Sequence, residues 1–210
     1  MSKTNSYSNV AREIYMTLYD ISKDYPRRLN ILYDDIIPED IDTEWLDRLD
    51  GCFRYLSKEN LEKVSHWNTS NIVSFRECFA TSYTYSSAIK QMDFSNGKYF
   101  DKMFYDSIDE DCYEYLKEMD LSRGVSYDYM CSFHPKLFED EFFEGIHYES
   151  ISKMKVNPNA SFKGFFSELP KDSAEHFRRW FPDMNIEEII KKLVKSRQGS
   201  DCEYNPYGSD

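Results

Sequence analysis

The chain has 210 residues, 40% of them hydrophobic and 17% aromatic, and its 26 basic side chains against 38 acidic ones give a net charge of −12. A chain of this length buries about 70% of its extended surface, enough for one domain or at most two. The acidic balance, with a pI near 4.8, excludes a protein that grips a phosphate backbone, which needs a basic face. It leaves a solubilising surface or a face that meets a basic partner.

The N-terminus has no basic start followed by an unbroken apolar run, and no window reaches about 18 apolar residues, so neither a signal peptide nor a membrane span is predicted. Val10, Ile14, Leu18 and Ile21 form a helical stripe, capped by Ser8 or Asn9 and ended before Pro26. Between Asp34 and Asp50 acidic residues alternate with Ile36, Ile37, Ile41, Trp45 and Leu46, an acidic shell over an apolar stripe. Residues 1–48 are therefore expected to be a helical cap over the segment that follows.

That segment repeats. Leu61 to Val64, Ile89 to Met92, Leu116 to Met119 and Ile151 to Met154 each read apolar-x-x-apolar. In the last three a further apolar residue stands two positions on, at Phe94, Leu121 and Val156, with the alternation of a strand. Aromatic stripes follow at i, i+3, i+4: Phe75, Cys78, Phe79; Phe100, Met103, Phe104; Phe162, Phe165, Phe166, with a half-copy at Leu49, Cys52 and Phe53. This spacing predicts short helices. The anchors Val64, Met92, Met119 and Met154 lie 28, 27 and 35 residues apart, in or just above the range of leucine-rich repeats.

The run Trp67-Asn68-Thr69-Ser70-Asn71-Ile72-Val73-Ser74-Phe75-Arg76-Glu77-Cys78-Phe79 resembles the signature of BspA-like leucine-rich-repeat proteins, the group that includes the repeats associated with mycoplasma lipoproteins. Phe94 to Phe104 is a second match, and the resemblance spans Leu49 to Phe166. It implies curved solenoids that bind other proteins. At the place of the usual buried asparagine stand Thr69, Gly97, Gly124 and Asn159, so a turn is expected without an asparagine ladder. The expected fold is α/β: a short leucine-rich-repeat-like solenoid over 49–166, with helical caps at both ends.

The acidic run Asp106 to Asp111 lacks the ligand spacing and central glycine of a calcium loop and reads as a solvated helix start, as does Glu139 to Glu141. Pro135 to Ser150 reads as an insertion. Beyond Phe166, Pro170 and Pro182 bracket a helical segment with Phe177, Trp180 and Phe181 on its apolar side. Ile186, Ile189, Ile190, Leu193 and Val194 then form a helix with a capping box from Asn185 to Glu188 and a stop at Gly199. Its basic end matches the helix dipole, the alternative being a membrane or groove-binding helix. Residues 167–198 are expected as the C-terminal cap and 199–210 as a disordered tail.

Five cysteines without a CxxC pair, Cys52 and Cys78 at equivalent places, predict small core residues in a reducing, cytoplasmic compartment and no zinc. The four scattered histidines match no metal-ligand spacing. No nucleophile elbow, phosphate loop or dinucleotide motif occurs, so no catalytic residue, metal or cofactor is assigned and no enzyme is expected. Residues between the strand's apolar positions project outward as columns: Lys63, Gln91, Glu118, Lys153; Ser65, Asp93, Asp120, Lys155; Trp67, Ser95, Ser122, Asn157. Trp67, Asp93, Asp120, Glu118 and Gln91 are the candidate partner-binding residues, with Trp67 either an anchor or a residue packed at the sheet's end. The expected partner is another protein with a basic surface, with no direct nucleic acid and no membrane. The alternative is an acidic inhibitor or nucleic-acid mimic, of phage or mobile-element type, that blocks a basic nucleic-acid enzyme.

Overall fold

The computed structural model describes residues 13–20, 23, 41–56, 58–81, 87–105, 116–132 and 144–194. The helix ends at Ser8, Asn9, Val10 and Ile21, the acidic runs at 106–111 and 139–141, Cys112, Cys202, His134 and the tail from 199 lie outside them.

The same backbone path recurs at Leu49–Phe53, Phe75–Phe79, Phe100–Phe104, Tyr127–Cys131 and Phe162–Phe166. Each begins with a four-residue turn, in which the N–H of Cys52, Cys78, Met103, Met130 or Phe165 donates to the carbonyl three residues before it. The third residue of every turn is left-handed: Gly51 at φ 69°, Glu77 at 53°, Lys102 at 53°, Tyr129 at 58° and Gly164 at 62°. The aromatic stripes are thus turns and not the short helices their spacing predicts. A turn that closes on its fourth residue meets the i, i+3, i+4 pattern as well as a helix does, and the left-handed residue stops helix propagation.

The N–H groups that a helix would keep for itself go to the neighbouring unit. Leu49, Gly51 and Phe53 donate to the carbonyls of Ser74, Arg76 and Cys78 at 2.8–2.9 Å, and the pattern repeats down the chain to Tyr127, Tyr129 and Cys131, which donate to Ser161, Lys163 and Phe165. Parallel bridges join Arg48, Ser74, Tyr99, Ser126 and Ser161 in that order, at steps of 26, 25, 27 and 35 residues. Equivalent rings therefore lie one above another. Phe75, Phe100 and Tyr127 stack at centroid distances of 5.8 and 5.7 Å, and Phe79 stacks on Phe104 at 5.7 Å. Each such pair contributes about 0.5–1.5 kcal/mol beyond its buried area. Cys52 and Cys78 are buried and unpaired with each other, at equivalent places beneath the rings.

A second ladder runs along the expected strands. Asp120–Leu121 (β1) pairs in parallel with Lys155–Val156 (β2), with Asp120 opposite Lys155. Two units earlier a side chain replaces the backbone: buried Thr69 donates its hydroxyl to the Asp93 carbonyl at 3.0 Å and accepts the Asp93 N–H at 2.8 Å. Thr43 likewise donates to the Asn68 carbonyl. Asparagine side chains still tie one unit to the one before, Asn71 and Asn96 from equivalent places and Asn157 from one residue earlier in its unit. Asn71, Asn96 and Asn157 donate their side-chain amides to the carbonyls of Glu44, Ser70 and Gly124 of the preceding units. Gly97 and Gly124 are needed for close approach rather than for a left-handed φ. A Cβ at either would lie 2.2 Å from the Phe100 ring or 2.1 Å from the Tyr127 hydroxyl.

The first unit begins earlier than its aromatic half-copy. Asp42, Asn68, Asp93 and Asp120 each accept the backbone N–H two residues on, at 2.8–3.1 Å, so 41–48 carries the opening turn of a unit instead of belonging to the segment before it. The helix over 13–20 (α1) buries Ile14 and Leu18 as its stripe predicts, and the Tyr15 hydroxyl accepts the Asp42 N–H. Helices Lys58–Val64 (α2), Ser87–Gln91 (α3) and Glu144–Ile151 (α4) return the chain between units.

At the far end Lys171–Ala174 (α5) and a 3-10 turn at Glu175–Arg179 bury Phe177, with Trp180 and Phe181 after it. The helix Ile186–Leu193 (α6) has the capping box read from Asn185 and Glu188. It then turns extended, so that Val194 bridges to Phe166 and the Phe166 N–H donates to the Leu193 carbonyl at 3.0 Å.

Candidate functional site

Val64, Ile89, Leu116 and Ile151 are equivalent, since each accepts, three residues on, the N–H of Trp67, Met92, Met119 or Met154. The sequence register of the first unit is thus displaced by three residues. Both 61–64 and 64–67 read apolar-x-x-apolar, and only the bridge from Ser74 to Tyr99 selects the second. In the outward columns His66, Asn68 and Ser70 replace Lys63, Ser65 and Trp67.

This places Trp67 in the core column, 4% exposed and edge-on to Phe53 at 5.6 Å. It is not available as an anchor. The other candidate residues converge. Gln91 ends α3 and Asp93 follows it, Glu118 and Asp120 stand at the same places one unit on, and together with Lys90 and Ser95 they line a cleft of about 310 Å³.

The carboxylates in this cleft are held in set positions. Asp93 accepts the Ser95 N–H at 2.8 Å. Asp120 accepts both the N–H and the hydroxyl of Ser122, at 3.1 and 2.6 Å, and its other oxygen lies 3.8 Å from the Lys155 ammonium. The Ser122 hydrogen bonds, with a smaller contribution from Lys155, hold the Asp120 carboxyl below its usual range. Lys90 reaches Glu118 at 3.6 Å. Two fixed carboxylates one unit apart can receive a lysine or arginine from a partner. Among the described residues no group of three His, Cys, Asp or Glu side chains could hold a metal ion.

The family model described as "Mycoplasma protein of unknown function, DUF285" matches residues 27–140, more than half of the 210. The chain belongs to this family. No curated protein and no solved structure matches it. The DUF285 match takes in the whole acidic cleft but ends before the last turn, Phe162–Phe166, and before the segment that meets it. No helix among the described residues is long and apolar enough to cross a membrane. Beyond the match lies a second cleft, which repeat spacing does not reveal because Lys163 and Lys191 come from different elements.

Proposed function

We propose that this DUF285 chain is a non-enzymatic protein-interaction module, a short leucine-rich-repeat-like solenoid of the BspA-like kind with helical caps at both ends. It works in the cytoplasm and binds a protein with a basic surface through Gln91, Asp93, Glu118 and Asp120. The observation that supports this reading is the convergence of these four residues on one cleft, with carboxylates oriented by turns that the fold itself makes. Preset side chains lose little freedom on binding, which favours affinity. The net charge of −12 favours a second reading, an acidic inhibitor that competes with nucleic acid for a basic groove.

The test is a pull-down from host lysate with the full chain and with D93K/D120K, both checked for an unchanged circular dichroism spectrum. Loss of one specific partner in the variant supports the cleft as the binding face. Retention of every partner by the variant overturns it. Displacement of that partner by added DNA selects the inhibitor reading, and indifference to DNA selects the ordinary module.

A further inference from the structure

Among the described residues the ladder of N–H donors leaves two of them over. In every unit but the last, the first and third residues of the turn donate to the next unit, as Tyr127 and Tyr129 do to the carbonyls of Ser161 and Lys163 at 2.9 and 3.0 Å. In the last unit the equivalent residues are Phe162 and Gly164. The segment that follows supplies one acceptor, the Leu193 carbonyl, and it takes the fifth residue, Phe166. Among the described residues nothing accepts the N–H of Phe162 or Gly164. Both residues are little exposed as a whole, and a row of N–H groups left without acceptors at an edge is a template for pairing with another chain.

By register these N–H groups face the direction in which another unit would stack. There they line a cleft of about 640 Å³ whose floor is Ala160, Phe162, Ile190 and Val194 and whose rim carries Lys163, Lys191 and Lys192. The single acid on the rim, Glu187, is already paired with Lys171 at 2.5 Å. None of the three rim lysines has a carboxylate partner among the described residues. Lys192 instead lies over the rings of Phe162 and Phe181, at 5.4 and 5.3 Å, and Lys163 over Tyr129 at 6.0 Å. In a chain of net charge −12, three lysines left without acids around one apolar floor are a local reversal of sign.

We propose that this end of the stack docks an extended acidic peptide segment of a partner protein, which adds the missing rung. Its backbone carbonyls accept the Phe162 and Gly164 N–H groups, alternate carboxylates meet Lys163, Lys191 and Lys192, and apolar side chains between them lie on Phe162 and Ile190. Main-chain bonds at an open edge give such a complex its register, and side-chain pockets give it selectivity. The site is separate from the acidic cleft and takes the opposite charge, so it stands whether or not that cleft binds a protein.

The experiment uses the full chain and a fluorescein-labelled peptide of alternating glutamate and valine. Fluorescence anisotropy is expected to show binding that weakens with salt, falls about tenfold or more in K163E/K191E, and is unchanged in D93K/D120K. Hydrogen exchange followed by NMR is expected to show the Phe162 and Gly164 amides gaining protection in the complex. Absence of binding, equal binding by K163E/K191E, or amides that stay unprotected at saturation each overturns the proposal. So does capture of anionic phosphatidylserine vesicles with no capture of the peptide.

Discussion

At the scale of single residues, the units are tied by a few side chains that stand in for backbone. Tyr127 is the clearest. Its ring is fully buried between Phe100 and Phe162, its hydroxyl donates to the Leu121 carbonyl, and the same oxygen accepts the Asn157 N–H of the next unit at 3.1 Å. Removal of the hydroxyl in Y127F leaves the Asn157 N–H without its acceptor, while the Leu121 carbonyl keeps the Gly124 N–H at 2.9 Å; the loss costs about 1–3 kcal/mol. Burial pushes the Tyr127 hydroxyl up from 10.0 to about 12. The unfolded chain then releases this proton first as pH rises, so stability is full below about 10 and declines between 10 and 12. Denaturant midpoints measured across that range are expected to fall for the parent chain and to fall less for Y127F. Equal slopes would mean that Tyr127 does not titrate with unfolding.

The elements show how five turns of different sequence keep one backbone path. Each requires a left-handed third residue, yet glycine fills that place only at Gly51 and Gly164, while Glu77, Lys102 and Tyr129 hold it against their own preference. An L side chain costs about 1–2 kcal/mol there. Hence G51A is expected to lower the melting temperature by that amount of stability. K102G is expected to raise it, since the strain released outweighs the ion pair from Lys102 to Glu77 at 3.6 Å, whose side chains are 33% and 28% exposed. Thermal melts of both variants decide the matter; if both fall, the turns are held by the Lys102 side chain more than by backbone conformation.

On the scale of the whole molecule, stability is expected to be nearly one-dimensional, because each unit bonds chiefly to its neighbours. Leu193 is fully buried and carries the carbonyl that receives the Phe166 N–H. Its truncation in L193A costs about 2–5 kcal/mol. Amide exchange read by mass spectrometry should then rise first over 160–166 and leave 75–81 and 87–104 protected. A uniform rise along the chain would show instead that the units unfold together.

Much of this was legible in the residues. The apolar anchors Met92, Met119 and Met154, the aromatic places Phe75, Phe100 and Phe162, the equivalence of Cys52 with Cys78 and the capping box at Asn185 all follow from spacing, because burial on one side of a regular path imposes a period on the chain. Four of the five candidate site residues could be grouped for the same reason, since residues flanking an anchor keep their place from unit to unit. Contacts between units settled the rest. Whether Leu61 or Val64 opens the first pattern, and with it whether Trp67 faces in or out, depended on which carbonyls received its hydrogen bonds. The choice of turn over helix at Phe75–Phe79 depended on N–H groups finding acceptors a unit away. The donors of Phe162 and Gly164 have no acceptor among the described residues because the segment up to Val194 meets only one of three rungs. Such bonds join residues about 25 to 35 positions apart, and a pattern of local spacing carries no record of them.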